Sequence, residues 1–312
     1  MEVDKIEDRV FYCTPYITAT GFTELMLCVL HNDLKSLRDP PSEYASKCLS
    51  EINAKNSIEW TALHIACRNS AKGQFSSEEM VSFLLEKGAD PNAKDKYGYT
   101  PLHHASQFSN RASTSSLATV DLLLRNGADP NASTSAGWTS LHFASFYSNS
   151  ASTSSLETVE FLVENGADPN VKDICGWTPL HWASQYSNST SSLATVKALL
   201  RNCADPNAST LVGWTPLHLA SEYSNSDSSL ETVEALLRSG ADPNVKDNDD
   251  CTPLHYASRY SNRETVKLLL RNGATPINKE TQILKLEIDI ERFVEENEKL
   301  KQRIEILESE ED

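Results

Sequence analysis

Apolar positions along the chain follow two regimes. Up to about residue 276 they fall in short blocks that recur in phase. One block reads Trp177-Thr178-Pro179-Leu180-His181-Trp182-Ala183. Close copies start at Tyr99, Trp138, Trp214 and Cys251, and a looser one at Trp60. The Thr hydroxyl can cap a helix N-terminus. The Pro supplies a preset φ at the first helical position. The Leu begins a buried stripe, and the His is placed to bond back to the Thr hydroxyl. A later Leu-Glu-Thr-Val or its variant starts a second helix. From Ile277 a heptad takes over, with Ile283, Ile290, Asn297 and Ile304 at a and Leu286, Phe293, Leu300 and Leu307 at d. That seam predicts a coiled coil. Ile at a with Leu mostly at d favours parallel dimers, and one Asn at a fixes register and oligomer state. Leu284 and Ile288 lie off the seam, placed to dock the helix start onto the preceding repeat.

The threonines stand at 61, 100, 139, 178, 215 and 252, so the period is 39 residues and then 37. In phase with them run Gly88, Gly127, Gly166, Cys203, Gly240 and Gly273, each at a Gly-Ala-Asp-Pro-Asn-like segment. Self-similarity at such a period means a stacked array. The Thr-Pro-Leu-His and Gly-Ala-Asp-x-Asn pair resembles the ankyrin repeat, over roughly residues 19–276. The resemblance implies an all-α-dominated solenoid of β-turn fingers and antiparallel helix pairs, here followed by the coiled-coil helix. The expected divisions are an N-terminal cap at 1–18 and a degenerate first repeat at 19–56. Six further repeats follow at 57–95, 96–134, 135–173, 174–210, 211–247 and 248–276, then the coiled coil at 277–312.

The sequence departs from the ordinary unit of ~33 residues. Thr252 to Gly273 spans 21 residues, but the same interval is 25 or 27 in the five preceding repeats. The surplus is Ser/Thr/Asn-rich, as in Asn149–Ser155 and Asn188–Ser192, and falls between the helices, where it is expected to stack as a ridge. Ser154 with Glu157 and Ser228 with Glu231 fit capping boxes. Glu59, Cys203 and Asp250 replace glycines at positions expected to be left-handed.

Composition narrows the function. The formal charge is −16 and the pI near 4.9, so a phosphate backbone is repelled and nucleic acid is not an expected partner. No apolar run reaches the ~18 residues of a membrane span, and the start has no signal-peptide core. Seven cysteines stand singly, which reads as reduced and intracellular. The expected location is the cytoplasm, or a host cytoplasm for a viral protein. No nucleophile–base pair, phosphate loop or metal cluster is visible, so no enzyme, cofactor or metal is expected.

What remains is binding. In the ankyrin resemblance the residue before each Thr faces the concave side: Trp60, Tyr99, Trp138, Trp177 and Trp214. The eighth residue after Thr lies near the open end of the inner helix: Phe108, Tyr147, Tyr186, Tyr223 and Tyr260. Trp and Tyr dominate binding hot spots, so these two ladders are candidate partner contacts, unless each ring packs on its neighbour. The fingertips vary (Lys96 and Tyr97, Ser135 and Ala136, Ile174 and Cys175, Leu211 and Val212, Asn248 and Asp249), which suits an extended protein ligand. The six repeated His residues are structural. The expected function is a non-catalytic protein-binding scaffold, with the tail either dimerising it or only capping the array. The alternatives are an adaptor bringing a captured protein to ubiquitin-ligase or other host machinery, as in similar arrays of large DNA viruses and protists, and a regulatory subunit of an enzyme.

Overall fold

Each repeated Thr begins a helix because its side chain and the following His close the helix end together. In the computed structural model Thr139 is extended at φ −96° and its N–H donates to Nδ1 of His142 at 3.1 Å, completing a capping box in which His replaces the usual Glu. With Nδ1 accepting, Nε2 carries the proton. His103 Nε2 donates to the Trp138 carbonyl at 3.0 Å, and His64 Nε2 to the Tyr99 carbonyl at 3.0 Å. These imidazoles, and those of His181 and His218, therefore cap their own helices and tie down the next repeat. The structure describes residues 20–31, 33–38, 43–69, 77–107, 116–148, 156–189, 191–226 and 228–310. The expected cap at 1–18, the Ser154 box and the stretch Asn149–Ser155 lie outside them. The chain forms two compact units, divided after Asp168.

The first unit opens with α1 (Glu24–Leu30), α2 (Leu34–Arg38) and α3 (Glu43–Ser50), followed by three helix pairs. These are α4 (Ala62–Asn69) with α5 (Ser77–Glu86), α6 (Pro101–Gln107) with α7 (Ser116–Arg125), and α8 (Ser140–Tyr147) with α9 (Leu156–Glu164). Leu63, Leu102 and Leu141 are fully buried between the pairs, with Leu84, Val120 and Leu162 from the second helices.

The second unit holds α10 (Pro179–Gln185) with α11 (Leu193–Arg201), α12 (Pro216–Tyr223) with α13 (Leu230–Arg238), α14 (Pro253–Tyr260) with α15 (Arg263–Arg271), and the long α16 (Lys279–Glu310). α16 packs on α15 through Leu284 and Ile288, both buried. Its other ties to the array are Lys285 to the Leu270 carbonyl at 3.0 Å, Arg263–Glu287 at 3.2 Å and Arg271–Glu291 at 3.4 Å.

Between repeats the backbone is laced by asparagines. In the first unit Asn92 Nδ2 donates to the Gly127 carbonyl at 2.7 Å while its Oδ1 accepts from the Asp129 N–H at 2.8 Å. In the second, Asn170 treats Cys203 and Asp205 in the same way. Cys203, Glu59 and Asp250 adopt φ of 64°, 63° and 60°, the left-handed conformation that the sequence position demands.

The second unit also shows what its inter-helix loops do. Ser187 Oγ lies 3.2 Å from Ser228 Oγ and 2.6 Å from Thr232 Oγ1, and Ser224 pairs likewise with Ser261 and Thr265. The expected Ser228–Glu231 box is replaced. Ser229 caps α13, accepting from the Thr232 N–H at 3.3 Å, because Ser228 turns inward to join the hydroxyl network of the preceding repeat.

Candidate functional site

The finger turns share one plan, closed by Asp95, Asp173 and Asp247, by Asn56, or by the hydroxyls of Thr134 and Thr210, and they end differently. Asp95 Oδ1 accepts from the N–H groups of Tyr97 and Tyr99, both at 2.8 Å, closing the turn. Asp173 does the same for Cys175 and Trp177 at 2.9 Å. Successive fingers are then stitched by one backbone bond. In the second unit Leu211 N–H donates to the Cys175 carbonyl at 3.0 Å, and Asn248 N–H to the Val212 carbonyl at 3.1 Å. Gly176, at φ 82°, permits this: a Cβ there would stand 2.9 Å from the Leu211 nitrogen. The backbone is pinned while the side chains are not. Leu211 is 72% exposed and Ile174 66%, with Val212 beside them. In the first unit Tyr97 is the exposed large hydrophobic fingertip residue among those described.

The two aromatic ladders fare differently. Trp60 and Trp138 are buried, at 2% and 1% exposure, and Trp177 is buried as well. As partner contacts these three have almost no ring face to offer. Trp60 Nε1 donates to Asp95 Oδ2 of the next finger at 2.8 Å, and Trp177 packs on Trp182 with ring centres 4.4 Å apart. The indole is wide enough to reach the neighbouring repeat, and burial there is worth more than exposure to water. Tyr99 and Trp214 are half-buried, Trp214 against Tyr256 at 4.9 Å. At the other end of the inner helices Tyr147, Tyr186 and Tyr223 are half-exposed and Tyr260 is exposed; Phe108 lies outside the described residues. Burial lifts the Tyr147 hydroxyl to about 12.

Titratable groups inside the array follow desolvation. His103 is held down to about 3 and His64 to about 4, chiefly by burial. His104 falls well below the usual imidazole range for the same reason, and neither ring nitrogen has a hydrogen-bond partner. In the second unit burial raises Glu222 to about 7. Glu222 and Gln185 were not singled out in the sequence. Their signal was a polar column in the second unit, the seventh residue after Thr178, Thr215 and Thr252, reading Gln185, Glu222 and Arg259. No group of three or more His, Cys, Asp or Glu able to hold a metal occurs among the described residues.

The α16 seam stands open. Ile283, Leu286, Ile290, Phe293, Leu300 and Ile304 are all at least half exposed, and Asn297 is exposed among them; the Leu307 side chain lies outside the described ones. No described helix is long and apolar enough to cross a membrane.

Comparison with known proteins fits this geometry. No curated protein matches the chain. The family model for ankyrin repeats (three copies) matches residues 25–134, 77–173, 111–192, 148–247 and 189–281, so that the matches run without a break from the first helix to the start of the last. Ankyrin repeats are generic protein–protein interaction modules and typically non-catalytic. With that continuous match laid over stacked, Thr-capped helix pairs, the chain belongs to the ankyrin-repeat family.

Proposed function

We propose that this chain is a non-catalytic scaffold that binds an extended protein segment on the fingertips of its second unit. The observation that carries this reading is the trio Ile174, Leu211 and Val212, apolar and exposed on a backbone already fixed by its own hydrogen bonds. Exposed apolar groups on a rigid frame lose little freedom when covered, so less of their burial energy is spent on ordering. The half-exposed Tyr186 and Tyr223 and the exposed Tyr260 extend the surface at the far ends of the same helices. Partners recovered by proximity labelling with the natural chain should disappear for the double variant Leu211→Asp, Val212→Asp and persist for Ser135→Asp. An unchanged set of partners with the double variant overturns the reading.

The open seam of α16 supports a second element, self-association with another copy of this chain. A helix that is docked by Leu284 and Ile288 leaves its a and d residues bare on another face. The g-to-e′ pairs Glu296–Lys301 and Arg303–Glu308 would attract across a parallel dimer. The full chain should therefore sediment as a dimer at tens of micromolar, and the Ile290→Asp, Phe293→Asp variant as a monomer. A monomeric full chain would make α16 a cap alone.

A further inference from the structure

The apolar fingertips of the second unit border a charged one. Beside Leu211 and Val212 stands the last finger, whose tip reads Asn248-Asp249-Asp250. Asn248 joins the two fingers: its N–H donates to the Val212 carbonyl and its Nδ2 to the Leu211 carbonyl, both at 3.1 Å. Gly213, at φ 83°, permits the approach, since a Cβ there would stand 2.9 Å from Asp247 Cα. On the other side the Leu211 N–H is bonded to the carbonyl of Cys175, the neighbour of Ile174. One row of tips therefore runs from Ile174 through Leu211 and Val212 to Asp249 and Asp250, apolar at first and acidic at its end.

The acidic end is open to water. Asp249 and Asp250 are both exposed, Asp250 by 85% of its side chain. Lys246 pairs with Asp250 at 3.1 Å. Three carboxylates, Asp247, Asp249 and Asp250, against that one ammonium leave the finger a net charge of −2. The finger before it, Ser209 to Gly213, carries no charge, and in the finger of Ile174 Lys172 offsets Asp173. Asp247 stays ionised. It is partly desolvated, but the Tyr256 hydroxyl at 2.5 Å and the N–H groups of Cys251 and Asp249 hold its carboxyl below the ordinary range. The field is felt nearby, where burial and then these three carboxylates push the Cys251 thiol up.

We propose that the segment bound on these fingertips is polarised, with apolar residues over Ile174, Leu211 and Val212 and a basic residue against Asp249 and Asp250. The proposal rests on the fingertip reading and names the chemistry of its ligand. An exposed carboxylate at the rim of an apolar patch attracts a cation without first being stripped of water. Such a charge contributes association rate and register more than depth of binding. An acidic residue brought to the same place is repelled, which rejects the reversed segment. The apolar tips alone would accept a segment lying either way, and the charged end of the row admits one. The net charge of −16 points to the same class of partner.

A displayed random-peptide library selected on the full chain tests this. The selected sequences should gather apolar residues at one end and Lys or Arg at the other. The discriminating variant is Asp249→Asn with Asp250→Gly. The first change keeps the side chain's shape. The second restores the glycine that Gly98, Gly137, Gly176 and Gly213 supply at the same place in other fingers, where Asp250 sits at φ 60°, so Tm should not fall. A synthetic peptide from the selection should bind this variant about fivefold more weakly than the natural chain in low salt, as for two exposed ion pairs. In about 1 M salt the difference should shrink below about twofold. Leu211→Ser with Val212→Ser should weaken the same peptide at both salt concentrations. Selected sequences without basic residues, or equal low-salt affinity for the natural chain and the Asp249→Asn, Asp250→Gly variant, overturn the polarity; the fingertip reading survives if the serine pair still weakens binding. Indifference to the serine pair removes the fingertip reading and this proposal with it. A full chain that falls from dimer to monomer with the serine pair would assign the row to a second copy of this chain and overturn the proposal.

Discussion

Four residues after the capping Thr, the first unit carries Ile65, His104 and Phe143, while the second carries Trp182, Leu219 and Tyr256. The frame is the same, but the units leave different buried polar atoms unmatched, among them the His104 imidazole in the first and the Glu222 carboxyl in the second. His104 is buried with both nitrogens unpaired against Trp60 at 5.0 Å and Tyr99 at 5.4 Å. In the second unit the Glu222 carboxyl is half-buried at a helix end, with its Oε2 unmatched and closed to solvent. The fingers diverge similarly, with small or singly apolar tips in the first unit and an apolar trio in the second. An imidazole sealed in the core has no route to a ligand, so its effect falls on stability. The unmatched Glu222 oxygen is closed off as well, so its effect also falls on stability, with the opposite dependence on pH. The same repeat frame thus tolerates a buried polar mismatch in each unit, a base in one and an acid in the other.

Truncation should separate the two units most sharply. Trp138→Ala should destabilise the first unit by about 3–5 kcal/mol, as for other buried aromatic-to-alanine changes. Leu211→Ala should shift stability by no more than about 0.5 kcal/mol yet weaken partner binding. Denaturant unfolding followed by hydrogen exchange in each unit reads both.

Acid should come next. An imidazole kept neutral has a folded pKa below the ordinary 6.5. Its stabilising share is complete above 6.5 and is lost as pH falls through the interval to about 4 for His64 and about 3 for His103. Each imidazole removes about 1.4 kcal/mol per pH unit within its interval. Glu222 works the other way. Raised from 4.5 to about 7, it favours the folded state fully below 4.5 and loses that share as pH climbs toward 7. As pH falls from 6.5 to 4.5 the first unit's amides should lose protection, relative to free-peptide exchange at each pH, while Glu222 shields the second, with His218, also lowered by burial, opposing in part. His104→Phe should blunt the first unit's loss. Equal acid sensitivity of the two units would break the contrast.

A glycine pair gives a smaller effect. Gly176→Ala puts a Cβ 2.9 Å from the backbone of the next finger, whereas Gly166→Ala, at φ 91°, meets open space. Gly166→Ala should cost about 1 kcal/mol for the left-handed strain alone, and Gly176→Ala clearly more, by the shift of Tm. The smallest change is a gain: Cys203→Gly, at φ 64°, should stabilise the second unit by about 1 kcal/mol.

The repeat frame was readable because each of its parts is local. Thr, Pro and His act within one helix start, and a left-handed turn residue declares itself even as Cys203 or Asp250. The site was less legible because exposure is set by the neighbouring repeat. Whether Trp60 faces a partner depends on Asp95, thirty-five residues away. Ser228 and Ser229 are equally good caps on paper, and only the hydroxyls of Ser187 and Thr232 decide between them. Glu222 looked like any polar residue at a helix end until its neighbours were known to leave its oxygen unanswered.

The asparagine lacing has a consequence for how such a chain can change length. Asn92 addresses only main-chain atoms of the repeat ahead of it, one carbonyl and one N–H. Asn170 makes the identical pair of bonds although a cysteine, not a glycine, supplies the carbonyl. The joint is therefore indifferent to which side chains the following repeat carries. A copied or deleted unit meets the same two atoms as its predecessor did, so this part of the junction needs no matching substitution on the far side. Gene duplication can then lengthen or shorten the array in whole units, leaving fingertips free to diverge without renegotiating the seam.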